Sequence, residues 1–481
     1  MTNVLNNLNP SLVFKYFEEI SQIPRGSGNE KQISDYLYKF AKDLNLEVIQ
    51  DDYLNILIRK PATKGYENCP GVILQGHMDM VCEKNKDVDH DFEKDPIELK
   101  IVDDMIYANG TTLGADNGIA VAMSLAILAS NDVCHPALEV LITSNEEAGM
   151  TGAMGLDGSL LNGKYIINLD SEEEGYLLVS CAGGNRSYVT LPLTYKDLDT
   201  NKEALLIEVK GLLGGHSGVD IIKQRANSNV TMGRILNLLG VDYDLVEVNG
   251  GSKNNAIPRE CEAKILVEKD QVETLKVNIA KIEEILKNEY RSTDAGLTVL
   301  VSETTADKAL DDDCKSKVIL LLNSIPNGVQ SMSMDIEGLV ESSTNMGVVR
   351  TENDTMSFES AVRSSVATLR QNINDKTKLI ADFVGAKFEN TDGYPAWEYA
   401  KDSKLEELCV DVYENLTGKK PVITAIHAGL ECGLLLDKMP GCEAISMGPN
   451  MFEVHTPNEH LSISSVKNVY EYLLEVLKAM N

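Results

Sequence analysis

The chain contains no Cys-x-x-Cys pair, and its nine cysteines are scattered along 481 residues in a number that cannot pair completely. That excludes a disulfide framework and predicts cysteines that serve as small apolar residues in a reducing compartment. Cys432 has no base beside it in sequence, so nucleophilic cysteine catalysis finds no support. Long apolar runs are also missing. The longest, at 119–129, is too short to span a bilayer, and the start, Met1-Thr2-Asn3-Val4-Leu5-Asn6, lacks the basic residues and apolar core of a signal peptide. These absences predict a soluble, cytoplasmic protein with no membrane partner. Basic residues are scarce, 44 against 74 acids for a net charge of −30, which argues against nucleic acid as a partner. No Gly/Ser/Pro linker or low-complexity segment marks a separate regulatory domain.

What the chain has is length enough for two domains, with 43% hydrophobic residues to build them, and a set of acids and histidines where strand-like runs end. His77 and Asp79 follow Gly71-Val72-Ile73-Leu74-Gln75. Asp116 follows Thr112-Leu113-Gly114, Glu146 and Glu147 follow Leu138-Glu139-Val140-Leu141-Ile142, Asp170 follows Tyr165-Ile166-Ile167-Asn168-Leu169, and His455 comes late. In an open α/β sheet, ligands sit beyond the carboxyl ends of parallel strands, so such residues can converge from distant segments. Singly, each has a plainer reading: a surface turn for His77-x-Asp79, a helix start for Glu146-Glu147, a helix cap for Asp116, an acidic loop for Asp170. Five such coincidences at once are far less economical than one metal centre.

Zinc accepts imidazole nitrogen and carboxylate oxygen, and a catalytic site leaves one position for water. Two ions need an anionic bridge to offset their repulsion. The residues fit two divalent ions per chain: His77 and Asp170 for one, Glu147 and His455 for the other, Asp116 between them. Cobalt and manganese suit the same donors, so sequence does not fix the metal. Glu146 is left over, in the position of a general base, and Asp79 is spaced to orient His77 through its second ring nitrogen.

The segments Gly76-His77-Met78-Asp79-Met80-Val81 and Ser144-Asn145-Glu146-Glu147-Ala148-Gly149 resemble the two signatures of the M20 metallopeptidase family. Within it, residues 110–118, 168–172, 214–218, 255–259 and 427–433 resemble the aminoacyl-histidine dipeptidase branch. The resemblance implies hydrolysis of unblocked dipeptides, Xaa-His such as beta-alanyl-histidine preferred, by a metal-activated water with Glu146 as base. A tripeptidase or amino-acid deacylase is the alternative on the same centre, and a non-catalytic metal-dependent binding protein the alternative of another class. His216, between Gly214-Gly215 and Gly218, is a glycine turn on its own terms; the resemblance implies that it stabilises the oxyanion. It also suggests a role for His427 near the substrate. His90, His135 and His460 are expected to have none, His460 being the one most easily mistaken for His455.

The expected fold is α/β, a zinc-peptidase-like mixed sheet flanked by helices with an inserted α+β lid. Because ligands lie on both sides of the insertion, the metal-binding domain is expected to be discontinuous, 1–184 with 390–481. The lid, 185–389, shows two similar rounds of strand and helix. A closing lid favours a small peptide as the binding partner. Glu172 or Glu431 is a candidate for its ammonium, and Asn255 and Arg363 are candidates for its carboxylate, Arg because its fork matches that group. Monomer and homodimer are both compatible with the sequence.

Overall fold

Runs such as Val72-Ile73-Leu74 carry no polar alternation, the pattern of a strand covered on both faces. In the structure, a computed structural model that describes residues 4–199, 201–391 and 393–481, they form the middle of a mixed sheet. Strands Val72–His77 and Leu138–Thr143 are buried along their whole length. The chain divides into two units: Met1–Ser180 with Tyr399–Ala425 and Leu430–Asn481, and Cys181–Glu398 with Ile426–Gly429. Against the boundaries expected above, residues 181–184, 390–398 and Ile426–Gly429 fall in the second unit, and the last segment puts His427 there.

Among the described residues, the first unit holds an eight-stranded sheet in the order Glu47–Gln50, Ile56–Lys60, Leu138–Thr143, Val72–His77, Tyr165–Asn168, Glu443–Ser446, Tyr176–Cys181, Val422–Ile426. The four consecutive strands from Leu138–Thr143 to Glu443–Ser446 are parallel, while the edge beyond Leu138–Thr143 is antiparallel. Parallel pairing points those four carboxyl ends the same way. Helix Ala115–Ala129 is apolar all round and buried from Gly118 to Leu128, because it packs between strand Val72–His77 and helix Ser11–Ile20. A helix enclosed on every side needs no polar face, which accounts for the longest apolar run of the sequence. No described helix is long and apolar enough to cross a membrane.

The second unit is built on a nine-stranded sheet, counted among the described residues. Its strands pair antiparallel, and Lys202–Lys210 alternates buried and half-buried positions, as one-sided cover requires. Helices Ser228–Leu238, Val272–Glu289, Asp312–Ser324 and Ala367–Val384 supply apolar residues to the core on that face.

Asp294 is fully buried in this unit. Its Oδ1 accepts from the Leu213 amide and its Oδ2 from the Ala226 amide, both at 2.8 Å, so it clamps the two ends of the loop that carries His216. Asp294→Ala should orphan both donors, at about 1–3 kcal/mol for each buried unsatisfied group. Urea unfolding of the variant checks this, and a loss below about 1 kcal/mol would contradict it.

Candidate metal centre

Three of the parallel strands end in the residues singled out from sequence. His77 closes strand Val72–His77, Glu146 and Glu147 lie just past Leu138–Thr143, and Asp170 lies just past Tyr165–Asn168. Asp116 differs from expectation, because Thr112-Leu113-Gly114 is a loop and not a strand. Gly114 takes a left-handed φ of 67° and Asp116 sits in the opening turn of helix Ala115–Ala129. His455 lies in a turn after the two-residue strand Met451–Phe452, also at positive φ, 64°.

These segments bring the side chains together. His77 Nε2 is 3.1 Å from Asp116 Oδ1 and 3.5 Å from Asp170 Oδ1. His455 Nε2 is 3.1 Å from Asp116 Oδ2 and 2.9 Å from Glu147 Oε1. Each oxygen of Asp116 therefore faces a different histidine. The ligand atoms of His77, Asp116 and Asp170 lie within 4.8 Å of one another, as do those of Asp116, Glu147 and His455. The two triads share only Asp116. Glu146 belongs to neither, although it lies within the same span of His77 and Glu147. The donor set, imidazole and carboxylate with no thiolate, suits zinc and its neighbours in the first transition row.

Asp79 is fully enclosed. Its Oδ1 stands 3.3 Å from His77 Nδ1 and accepts from the Glu146 amide at 3.0 Å. Its Oδ2 accepts from the Glu147 amide at 3.2 Å and from Ser27 Oγ at 2.8 Å. One carboxylate thus orients an imidazole and fixes the backbone of both glutamates.

Sequence reasoning overlooked a further set of buried polar groups. Asn117 Oδ1 accepts from the His77 amide at 3.1 Å, and its Nδ2 donates to Leu169 O at 2.9 Å, tying the strand ends that carry His77 and Asp170 to the helix behind Asp116. A Cβ on Gly76 would stand 2.4 Å from that Oδ1, so only glycine fits there. Arg25 and Glu459 are buried around the same loop. The available signals were an arginine inside Pro24-Arg25-Gly26-Ser27-Gly28 and an acid four residues past His455.

The field of this cluster is strongly cation-seeking. Hydrogen bonds to Asp116 and Glu147 push His455 up to about 10. Burial opposes the charge on His77, yet Asp170, Asp116 and Asp79 outweigh it and raise the group well above its ordinary value. Burial also acts against ionised Asp116, but hydrogen bonds to His455 and His77 hold it below the usual carboxylate range. For the other acids burial is the largest cause and neighbouring carboxylates add to it, outweighing the pull of His77 on Asp170, Glu431 and Glu146: Asp170 is raised to about 6, Glu172 to about 7, Glu431 to about 8 and Glu146 to about 9.

The remaining residues singled out from sequence fall into two groups. Glu431 lies in the first unit, fully buried, with Oε2 accepting from Gln75 Nε2 at 2.5 Å and Thr143 Oγ1 at 2.6 Å, while Oε1 has no partner. His216, Asn255, Arg363 and His427 belong to the second unit. His216 pairs with Ala256, next to exposed Asn255, in a two-residue ladder. Its Nδ1 accepts from the amides of Gly218 and Val219, both at 3.3 Å, which leaves its proton on Nε2, free to donate. Burial, and then Arg363, lower its pKa and keep the ring neutral. A Cβ on Gly218 would stand 2.6 Å from His427 O and 3.0 Å from His216 Cε1, so the turn requires glycine. His427 is held at about 4 by burial and then by Arg363, with Nε2 at 2.7 Å from Ser343 Oγ. Arg363 Nη1 donates to Tyr394 Oη at 2.7 Å, and Arg363, Asn255 and Tyr394 line one cavity of about 220 Å³. His460 stacks between Tyr107 and Phe452, with ring centroids at 4.7 and 5.0 Å.

The sign of the pH dependence follows from the raised histidines. Below their pKa the imidazolium forms occupy the nitrogens a metal needs, and a rise in pH strips those protons. Divalent-metal affinity, measured by chelator competition, should therefore tighten at least about tenfold between pH 6 and pH 8. A flat profile over that range would contradict the reading.

Comparison with known proteins places the chain in a family. The chain is 40% identical over 477 residues to the cytosol non-specific dipeptidase of Escherichia coli K12, covering 98% of each chain. Its structure matches that of aminoacylhistidine dipeptidase from Vibrio alginolyticus with a TM-score of 0.93 at 38% identity, covering 99% of this chain and 98% of the other. Aminopeptidase PepT from Bacillus cereus shares the fold more distantly, with a TM-score of 0.57 at 17% identity over 98% and 99% of the two chains. Residues 73–479 match the model of peptidase family M20/M25/M40, and the chain belongs to that family.

Proposed function

We propose that this protein is a metal-dependent dipeptidase that binds two divalent ions, zinc foremost, and cleaves unblocked dipeptides. The observation that carries this reading is Asp116, whose two oxygens face histidines of two separate triads while Glu146 stands beside both and is needed by neither. A site built only to hold ions has no use for that spare carboxylate. When bound, the metals supply a water of lowered pKa and positive charge against the developing oxyanion. Glu146 takes the proton from the attacking water and delivers it to the departing amine. Asp79 keeps His77 in the tautomer that presents Nε2 inward. Neutral His216, with its proton on Nε2, is suited to donate to the carbonyl oxygen as charge develops.

For the substrate termini we assign the carboxylate to Asn255 and Arg363, with His427 beside them, since an arginine fork matches that group. The ammonium falls to Glu172, which is exposed, and not to the enclosed Glu431. The Escherichia coli and Vibrio alginolyticus relatives, at 40% and 38% identity, are both dipeptidases by name, so the tripeptidase and deacylase alternatives are disfavoured. Their names point both to broad dipeptide use and to aminoacyl-histidine substrates; we infer activity on Xaa-His dipeptides within a wider dipeptide range. A cytoplasmic location is inferred from the Escherichia coli relative.

Two measurements test this. Across a panel of free dipeptides, N-acetylated amino acids and tripeptides assayed with zinc-loaded enzyme, free dipeptides including beta-alanyl-histidine should be fastest; faster turnover of either other class would reject the reading. Glu146→Gln should lower kcat at least about a hundredfold, the scale of general acid–base catalysis, with metal content intact, and His216→Ala should also lower kcat without releasing metal. Near-normal turnover by Glu146→Gln, or metal loss from His216→Ala, would remove the role assigned to that residue.

A further inference from the structure

The bridging carboxylate must serve two sites at once, so its backbone has to be held more tightly than that of a terminal ligand. The backbone around Asp116 is gripped from both polar sides by two buried charges. Glu459, 2% exposed, accepts four successive amides: Leu113 at 2.7 Å and Gly114 at 3.0 Å on Oε2, Ala115 at 2.7 Å and Asp116 at 3.3 Å on Oε1. These donors lie in the segment that leads into helix Ala115–Ala129, where Asp116 still has a non-helical ψ of 105°. Arg25, also 2% exposed, takes the carbonyls. Its Nη1 donates to Met78 O at 3.0 Å and Asp79 O at 3.2 Å, and its Nη2 to Gly114 O. One guanidinium thereby staples the segment after His77 to the segment before Asp116.

The local sequence is shaped around that staple. A Cβ on Gly114 would lie 2.5 Å from Arg25 Nη2, and one on Gly118 would lie 2.6 Å from the same atom. Glycines on both sides of Asp116 thus clear room for the guanidinium. Glu459 ends a turn, its amide donating to Thr456 O at 3.0 Å, and it lies four residues past His455. The segment that supplies one histidine therefore also grips the loop that supplies the bridge.

We propose that Arg25 and Glu459 are positioning residues that hold Asp116 with one oxygen toward each metal site. They act through backbone amides and carbonyls, not by touching metal or substrate. This rests on the two-metal reading above. Partners beyond the ligands of a metal site commonly tune affinity by about 10–100-fold, and a bridge displaced by about half an ångström no longer meets the tolerance of such a constellation.

The test uses full-length apo protein titrated with cobalt(II), followed by chelator competition and by the visible absorption of bound cobalt, together with melting of the apo and loaded forms. Wild type should take two ions. Glu459→Gln offers one acceptor oxygen where two met four donors, and should bind the weaker ion about 10–100-fold less tightly, with a changed cobalt spectrum and an apo melting temperature near wild type. Its kcat should recover at saturating metal with KM for a free dipeptide unchanged. Arg25→Lys keeps the charge but not the fork over three carbonyls, should show the same signature, and decides the matter if Glu459→Gln does not fold. Two ions bound by Arg25→Lys at wild-type affinity with an unaltered spectrum would overturn the positioning role. Equal loss of melting temperature in apo and loaded forms, with affinity unchanged, would do the same. A wild type that takes fewer than two ions would instead overturn the two-metal reading, and this proposal with it.

Discussion

Mutual repulsion among carboxylates that the fold forces out of water is the constraint on which this structure turns. Asp79, Asp116, Glu146, Glu147 and Asp170 are gathered from four segments, around two imidazoles, at the carboxyl ends of parallel strands. Burial disfavours the charge on Asp116, Glu146 and Asp170, and for Glu146 and Asp170 the neighbouring carboxylates disfavour it again. The response is visible in acids and bases alike: Glu146 and Asp170 are pushed up, and His77 and His455 are pushed up with them. Divalent cations would offset that cost most directly, because one ion faces several of these carboxylates at once. Asp116 stays ionised because both its oxygens are engaged, which is also the condition for a bridge.

The rest of the first unit can be understood as support for that arrangement. Strands buried on both faces give stiff ends, and the enclosed helix Ala115–Ala129 gives Asp116 a fixed base. Polar groups under the site are largely matched, Asp79 to two amides and a hydroxyl, Asn117 to one amide and one carbonyl. The second unit solves a different problem. It keeps an imidazole neutral and directs its proton, by means of a glycine turn whose amides occupy Nδ1.

The histidines and carboxylates that converge were legible in the sequence because strand ends can be seen in the pattern of apolar runs, and because imidazole and carboxylate at several such ends have few joint explanations. Helices of the second unit were legible for a similar reason: of the apolar positions Val272, Leu275, Val277, Ile279, Ile282 and Leu286, which suggest an amphipathic helix, all but the exposed Val277 face inward. Asp116 was found for an imperfect reason, since the residues before it form a loop and not a strand. Arg25, Asn117 and Glu459 were not found, because their partners are main-chain atoms, and a residue that binds backbone leaves no complementary side chain to notice. The membership of Ile426–Gly429 in the second unit was equally hidden. A four-residue return of the chain alters neither composition nor periodicity.

The claim that organises all of this is the shared carboxylate. A crystal structure of zinc-loaded protein, with anomalous differences collected on either side of the zinc edge, tests it most directly. The account predicts two zinc peaks, with one oxygen of Asp116 on each, His77 and Asp170 completing the first and Glu147 and His455 the second. A single peak in active enzyme, or two peaks with Asp116 bound to one alone, would contradict it.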